Sequence, residues 1–166
     1  MLENWCAMED VCDYLDRKGA LKKSVSKEGF DFLAQKYYVR LKRRIIYCEN
    51  IEPKDEFVFY TLAQLYDRVD VDGPKENRYK RKARYYAIRA IRKNRRYSRA
   101  WALLADIYSW LSLIGSEKGS DRYISIYFAE KSITCIKKAV KYNPENTKYR
   151  EDLKGYYHLR NEEYKC

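Results

Sequence analysis

The sequence predicts an all-helical protein of one domain. Its 166 residues include only 6 Gly and 3 Pro, which is too little turn chemistry for a many-stranded sheet. Apolar residues recur three and four positions apart through most of the chain, which is the period of a helix and not of a strand. Hydrophobic residues make up 46% and charged residues 36%, enough for a core inside a well-solvated surface.

The first half of the chain contains three predicted helices. The first covers residues 2–17, with apolar residues at helical spacing, and Gly19 ends it. Ser26 is a suitable N-cap for the second, which continues to about residue 50. The third follows Asp55, another N-cap residue, and continues to about residue 69.

Four more predicted helices follow. Pro74 lies near the start of the fourth, in which small residues form one stripe. The fifth ends at a flexible loop, residues 115–120, and the sixth runs from Ser120 as its N-cap to about Tyr142. Asn146 caps the last helix, which is the most polar on its outer surface. The small residues of the fourth helix are Ala83, Ala87 and Ala90.

Several of these helices share one spacing pattern, and it resembles the tetratricopeptide repeat, a pair of antiparallel helices. The clearest copy consists of Trp101, Leu104, Ala105, Tyr108, Ile136, Ala139 and Pro144. Weaker copies consist of Ile45, Cys48 and Pro53, followed by Phe59, Leu62, Ala63 and Tyr66. The equivalent positions Pro53, Arg95 and Pro144 are 42 and 49 residues apart, against about 34 in the standard repeat.

The resemblance implies a right-handed solenoid of about three antiparallel helix pairs with a C-terminal capping helix. The pairs are expected at residues 1–53, 54–97 and 98–145, and the capping helix at residues 146–166 of a single domain. In proteins of this kind the first helices of successive pairs line a concave groove that holds a peptide or helix of another protein. The resemblance therefore implies a non-catalytic protein-interaction module.

The register of the repeat gives the residues expected to line this groove. Phe57 and Trp110 fit a place in the core as well as one in the groove. Asp106 is the one charge in the apolar body of its helix, so it faces either the groove or a buried partner group. We call this set the partner groove: Phe57, Tyr60, Gln64, Arg99, Ala102, Asp106, Ser109 and Trp110, continued by Lys148, Glu151 and His158 on the last helix.

Some members of the family clamp a partner's C-terminal carboxylate with Lys and Asn side chains. In this chain Tyr60, Gln64, Asp106 and Asp152 stand at those places. The resemblance therefore does not extend to a carboxylate clamp.

The net charge of +11 is concentrated in one segment. Residues 78–99 contain eleven Arg and Lys residues and no acid, which equals the excess of the whole chain. At about 100° per residue, most of these side chains lie with Tyr85 on the side opposite the alanines. We call this set the basic stripe: Arg78, Arg81, Lys82, Tyr85, Arg89, Arg92, Lys93 and Arg96.

Three interpretations of the basic stripe are open. It is a solvated helix face, or it binds a polyanion such as RNA, DNA or a lipid surface, or it binds an acidic protein. Like charges three and four apart cost about 0.2–0.5 kcal/mol per pair, so stability alone would favour interspersed acids. Nucleic-acid or polyanion binding is therefore the alternative to binding a partner protein.

Other functions have no support in the sequence. The five Cys residues are widely spaced and there is one His, so neither a disulfide framework nor a metal site is expected. The first residues are acidic and no apolar run is long enough to span a bilayer, which favours a soluble cytoplasmic protein. Residues 70–73 and 115–119 lack the ligand patterns of calcium and phosphate loops, and His158 has no evident catalytic partner. We therefore expect no enzyme activity and no cofactor.

Overall fold

The computed structural model describes residues 39–68, 76–117 and 122–165. The chain divides into two compact units, Met1–Leu41 and Lys42–Cys166, and nearly all of the described residues belong to the second. No strand occurs among the described residues, which confirms the all-α prediction. The helices are α1 (residues 39–49, the described part), α2 (Glu56–Arg68), α3 (Glu76–Lys93), α4 (Ser98–Glu117), α5 (Arg122–Tyr142) and α6 (Thr147–Lys165).

Some sequence predictions fall outside these residues, and others are confirmed. The helix at residues 2–17, the caps at Ser26 and Ser120, and Pro74 lie outside the described part, and the predicted domain and helix-pair boundaries stay predictions. Asp55 caps α2, because its Oδ1 accepts a hydrogen bond from the Val58 backbone N–H at 2.8 Å. Helix α5 ends at Tyr142 as expected.

Two further sequence predictions concern the start of α6 and the end of α4. Asn146 Oδ1 accepts a hydrogen bond from the Tyr149 backbone N–H at 3.4 Å, which confirms the predicted cap of α6. The loop predicted for residues 115–120 is wrong for its first half, since α4 continues to Glu117. A glycine inside a helix costs only about 1 kcal/mol, and the packing of α4 on α5 offsets this.

Small buried residues let consecutive helices approach closely. Ala83, Ala87 and Ala90 on α3 are fully buried, as the sequence predicts. Between α4 and α5, Ser112 Oγ donates to the Ser125 backbone oxygen at 2.8 Å, and Ser125 Oγ donates to the Ser112 backbone oxygen at 2.8 Å. This reciprocal pair satisfies both hydroxyl groups in a place without water access.

The two helix pairs α2–α3 and α4–α5 repeat one arrangement with a period of 42 residues. Tyr66 stacks on Tyr86 with ring centroids 5.5 Å apart, and 42 residues later Tyr108 stacks on Phe128 at 5.9 Å. The fully buried small residues of the second helices have the same period, since Ala83, Ala87 and Ala90 correspond to Ser125, Ala129 and Ser132.

A cluster around Glu49 joins α1 to the α2–α3 pair. The Tyr66 hydroxyl donates to Glu49 Oε1 at 2.6 Å and accepts from Lys82 Nζ at 2.9 Å. The Tyr86 hydroxyl also donates to Glu49 Oε1, at 3.3 Å. Burial and the Glu49 carboxylate raise the pKa of Tyr66 and Tyr86, so both phenols are neutral donors.

The first helices of successive pairs also meet one another. Besides the contacts between helices consecutive in the chain, α2 contacts α4 and α4 contacts α6. The three helices α2, α4 and α6 therefore form a row, and the predicted partner groove lies on this row.

Candidate functional site

An aromatic cluster forms the end of the partner groove near the start of α2. The Tyr97 ring packs edge-on against both Phe57 and Tyr60, with ring centroids 5.4 and 5.2 Å apart. Gln64 Nε2 donates to the Tyr60 hydroxyl at 3.0 Å. Phe57 is 52% exposed, so it is not a core residue. Tyr97 is a member of the cluster that the sequence analysis did not place there.

Asp106, which the sequence assigns to the partner groove, lies where α4 meets α6. Its carboxylate accepts a hydrogen bond from the Tyr156 hydroxyl, fifty residues along the chain. Asp106 keeps accessible surface, although the protein atoms around its carboxylate remove part of its hydration.

The surroundings of Asp106 disfavour its charged form. Burial raises the pKa of this carboxyl group, and the Asp152 and Asp67 carboxylates raise it further. The hydrogen bond from Tyr156 and the Lys148 ammonium act in the opposite direction. Burial also raises the pKa of Asp152, which Lys148 lowers in part. We call Asp106 and Asp152, whose charges Lys148 offsets only in part, the acidic patch.

A buried ion pair lies beside this patch. Lys80, only 7% exposed, reaches from α3 to place its Nζ 2.8 Å from Asp67 Oδ1 on α2. The same ammonium lies over the Trp110 ring of α4, 4.7 Å from its centroid. Trp110 is therefore half-buried, and its ring contacts a cation. It lies between the two positions that the sequence left open, a buried place in the core and an exposed place in the groove.

The remaining predicted groove residues differ in their exposure. Arg99 is exposed at the first turn of α4, Ser109 is half-buried, and Ala102 is buried. On α6, Lys148, Glu151 and His158 are all exposed. The structure therefore offers the aromatic cluster and the acidic patch as the two chemically distinct parts of the groove.

The basic stripe separates into an internal and an external part. Lys82 donates to Tyr66 and lies 3.9 Å from Glu49 Oε1, and Arg89 Nη1 donates to the Tyr85 hydroxyl at 2.8 Å while its guanidinium lies over the Phe59 ring. The other cations are exposed and make no ion pair with any residue that the structure describes. They are Arg78, Arg81, Arg92, Lys93 and Arg96.

A repeated surface feature accompanies the stripe. Tyr85 is 52% exposed, and Tyr127, its equivalent 42 residues later, is 55% exposed. In both helices a cation four residues on lies over the tyrosine ring, Arg89 at 5.6 Å and Lys131 at 5.1 Å from the centroid. We call Tyr85 with Arg89 and Tyr127 with Lys131 the tyrosine–cation pairs. The second pair was not predicted from the sequence. The equivalence of Tyr127 and Lys131 with Tyr85 and Arg89 becomes visible when the sequence is aligned with itself at a shift of 42 residues.

The described residues contain no metal-binding cluster, and their free cysteines are buried. Among them no group of His, Cys, Asp and Glu could hold a metal ion. The thiols of Cys48 and Cys135 are buried; burial raises the pKa of both, that of Cys135 to about 11, which leaves them protonated and unreactive.

Comparison with known proteins gives no relative from which a role could be transferred. No protein-family model, no curated protein and no solved structure matches the chain. None of the described helices combines the length and the apolar character that crossing a bilayer requires.

Proposed function

We propose that this chain is a non-catalytic protein-interaction module resembling tetratricopeptide repeats, which holds a segment of a partner protein on the row of α2, α4 and α6. Two observations support a stacked-repeat architecture. The α2–α3 and α4–α5 pairs repeat buried positions and ring stacks every 42 residues, and the first helices adjoin across pairs. A preformed surface of this kind leaves only the partner segment to become ordered on binding.

The observation that carries the proposal is Asp106. Between residues 100 and 116 it is the only charge, in a helix that is otherwise apolar. Burial raises the pKa of its carboxyl group, so the charged form is disfavoured in the folded chain, and the hydrogen bond from Tyr156 offsets this only in part. A disfavoured charge that remains exposed on the protein surface is typical of a binding site.

The chemistry of the groove indicates what the partner carries. A Lys or Arg side chain at Asp106 would offset the negative charge of Asp106 and of the nearby Asp152. At the other part of the groove Phe57 offers exposed ring surface for an apolar side chain, and the half-buried Tyr60 packs on the same Tyr97 ring beside it. We therefore expect a peptide or helix with a basic residue and an apolar residue on one face.

The proposal is tested by selection from a random peptide library displayed on phage, with the purified chain as bait and Asp106→Asn as counter-selection bait. The expected result is enrichment of sequences that combine Lys or Arg with an aromatic or aliphatic residue at a fixed spacing. Enrichment of acidic peptides would contradict the assignment of the acidic patch, and enrichment unaffected by Asp106→Asn would place binding elsewhere.

A further inference from the structure

A second surface, separate from the partner groove, carries an unneutralised positive charge. The exposed members of the basic stripe extend along α3, whose 18 residues span about 27 Å at 1.5 Å per residue. No acid lies among residues 78–99 to neutralise them. The cations that the fold does use, Lys80, Lys82 and Arg89, point back toward α2. The exposed cations of the basic stripe are therefore not the ones that form ion pairs and ring contacts inside the fold.

The type of cation indicates a phosphate ligand. Of the exposed cations on the stripe only Lys93 is a lysine, and the others are arginines. Arginine presents a rigid planar set of donors that matches phosphate geometry, whereas solubility requires only charge, which lysine supplies. A further exposed arginine, Arg95, lies beside Arg96 just beyond the end of α3 at Lys93.

The tyrosine–cation pairs indicate that the ligand also carries flat rings at regular intervals. Both tyrosines pack edge-on against the buried ring that follows them, Tyr85 on Tyr86 at 5.1 Å and Tyr127 on Phe128 at 5.4 Å. This support fixes the orientation of each exposed ring. A surface feature that recurs once per helix pair matches a ligand built of repeating units, such as a nucleic-acid strand.

The two pairs hold equivalent places in the two helix pairs. Each exposed tyrosine packs edge-on against a ring that stacks on the first helix of its own pair, Tyr86 on Tyr66 and Phe128 on Tyr108. The two exposed rings therefore lie on equivalent sides of successive helix pairs, which an extended ligand can follow.

A lipid surface is a weaker match for this site. A helix that binds a bilayer inserts its apolar face, but the apolar face of α3, with Ala83, Ala87 and Ala90, is fully buried against the protein. Stacking rings and arginines together match a single strand with accessible bases better than a duplex, in which the bases are already stacked.

We propose that the basic stripe and the tyrosine–cation pairs bind single-stranded nucleic acid, with phosphates at the exposed arginines and bases stacked on Tyr85 and Tyr127. This inference does not depend on the proposed function of the groove.

The test is fluorescence anisotropy with a labelled single-stranded oligouridine and an oligodeoxythymidine of about 20 nucleotides, long enough for one such site. The purified full chain, freed of nucleic acid, is titrated across a salt series. We expect micromolar or tighter affinity near physiological salt and a log–log salt slope of about −2 to −4, from three to five phosphate contacts.

Two matched sets of variants locate the site. Arg81→Gln, Arg92→Gln and Arg96→Gln together should weaken binding at least about tenfold and flatten the slope by about 2. The control, Lys141→Gln, Arg150→Gln and Lys154→Gln, removes the same charge from other exposed positions and should have a much smaller effect.

A second pair of variants tests stacking. Tyr85→Leu with Tyr127→Leu should weaken binding about fivefold or more, while Phe57→Leu in the groove should leave it unchanged.

Four outcomes would overturn the proposal. They are absence of binding by the unaltered chain, equal losses in the stripe and control sets, tighter binding of duplex DNA than of single strands, and binding of acidic lipid vesicles with the same dependence on the stripe. The first outcome is measured on the unaltered chain, so the proposal can be contradicted even if a variant fails to fold.

Discussion

Replacing Tyr66 by Phe removes a single hydroxyl group from the cluster that joins α1 to the α2–α3 pair. The ring, which is 3% exposed, keeps its place in the stack on Tyr86. The change removes a hydrogen bond to Glu49 at 2.6 Å and one from Lys82 at 2.9 Å. Hydrogen bonds to charged groups contribute about 1.5–3 kcal/mol each when buried.

The expected cost is smaller than that sum. The side chains of Glu49 and Lys82 are 36% and 41% exposed, so water replaces part of what each loses. We therefore expect Tyr66→Phe to lower the free energy of unfolding by about 1–2 kcal/mol. Tyr66→Ala, which also removes a buried ring, should cost about 3–5 kcal/mol.

The assay is equilibrium unfolding in urea, followed by far-ultraviolet circular dichroism. The control is Tyr47→Phe, because Tyr47 lies on the same helix as Glu49 but is 69% exposed, and its change should be within about 0.5 kcal/mol. Combining Tyr66→Phe with Glu49→Gln should cost less than the sum of the two single changes, since they share a bond. If Tyr66→Phe were no more costly than Tyr47→Phe, the cluster would not stabilise the packing of α1, and this reasoning would be refuted.

Three further predictions concern the helix junctions and the groove. Because burial raises the pKa of Asp106, the stability that this group contributes is present below its ordinary pKa of 3.8 and lost as pH rises through the raised value. Asp106→Asn should therefore stabilise the fold at neutral pH, by less than about 1 kcal/mol for a partly solvated group, and the gain should vanish in urea unfolding at acid pH. Ser112→Leu should cost about 1–3 kcal/mol because it overpacks the contact with Ser125, whereas Ser112→Ala should cost only about 1 kcal/mol; equal costs would contradict the close approach of α4 and α5. Asp55→Ala should lower the unfolding free energy by about 1 kcal/mol through loss of the α2 cap, and Asp55→Asn should restore most of it.

Local features of the fold could be predicted from the sequence because short-range chemistry determines them. Asp55 and Asn146 cap helices through bonds to residues three positions on, and the alanines of α3 are buried as their period predicts. The exception is the loop predicted for residues 115–120. Gly115 and Ser116 are residues typical of turns, but they lie within α4, which ends at Glu117. Local propensity is a weak preference that packing against α5 overrides.

The contacts that define the site join residues far apart in the chain and could not be predicted in this way. Lys80 belongs to the basic segment, but Asp67 on the preceding helix draws it into the interior. The bond from Tyr156 to Asp106 depends on α6 lying beside α4. The register of the repeat predicts Asp106 in the partner groove, which stays a prediction, whereas its hydrogen bond from Tyr156 and its raised pKa could not be predicted.

The most direct test of the account is the affinity of the best selected peptide for three forms of the chain, measured by fluorescence anisotropy. The forms are the unaltered protein, Asp106→Asn, and the stripe variant with Arg81→Gln, Arg92→Gln and Arg96→Gln. We expect Asp106→Asn to fold with undiminished stability and to bind at least about tenfold more weakly, which corresponds to about 1.4 kcal/mol. The stripe variant should bind the peptide as the unaltered protein does. Undiminished affinity in Asp106→Asn, or its loss in the stripe variant, would contradict the claim that the row of α2, α4 and α6 is the partner-binding surface.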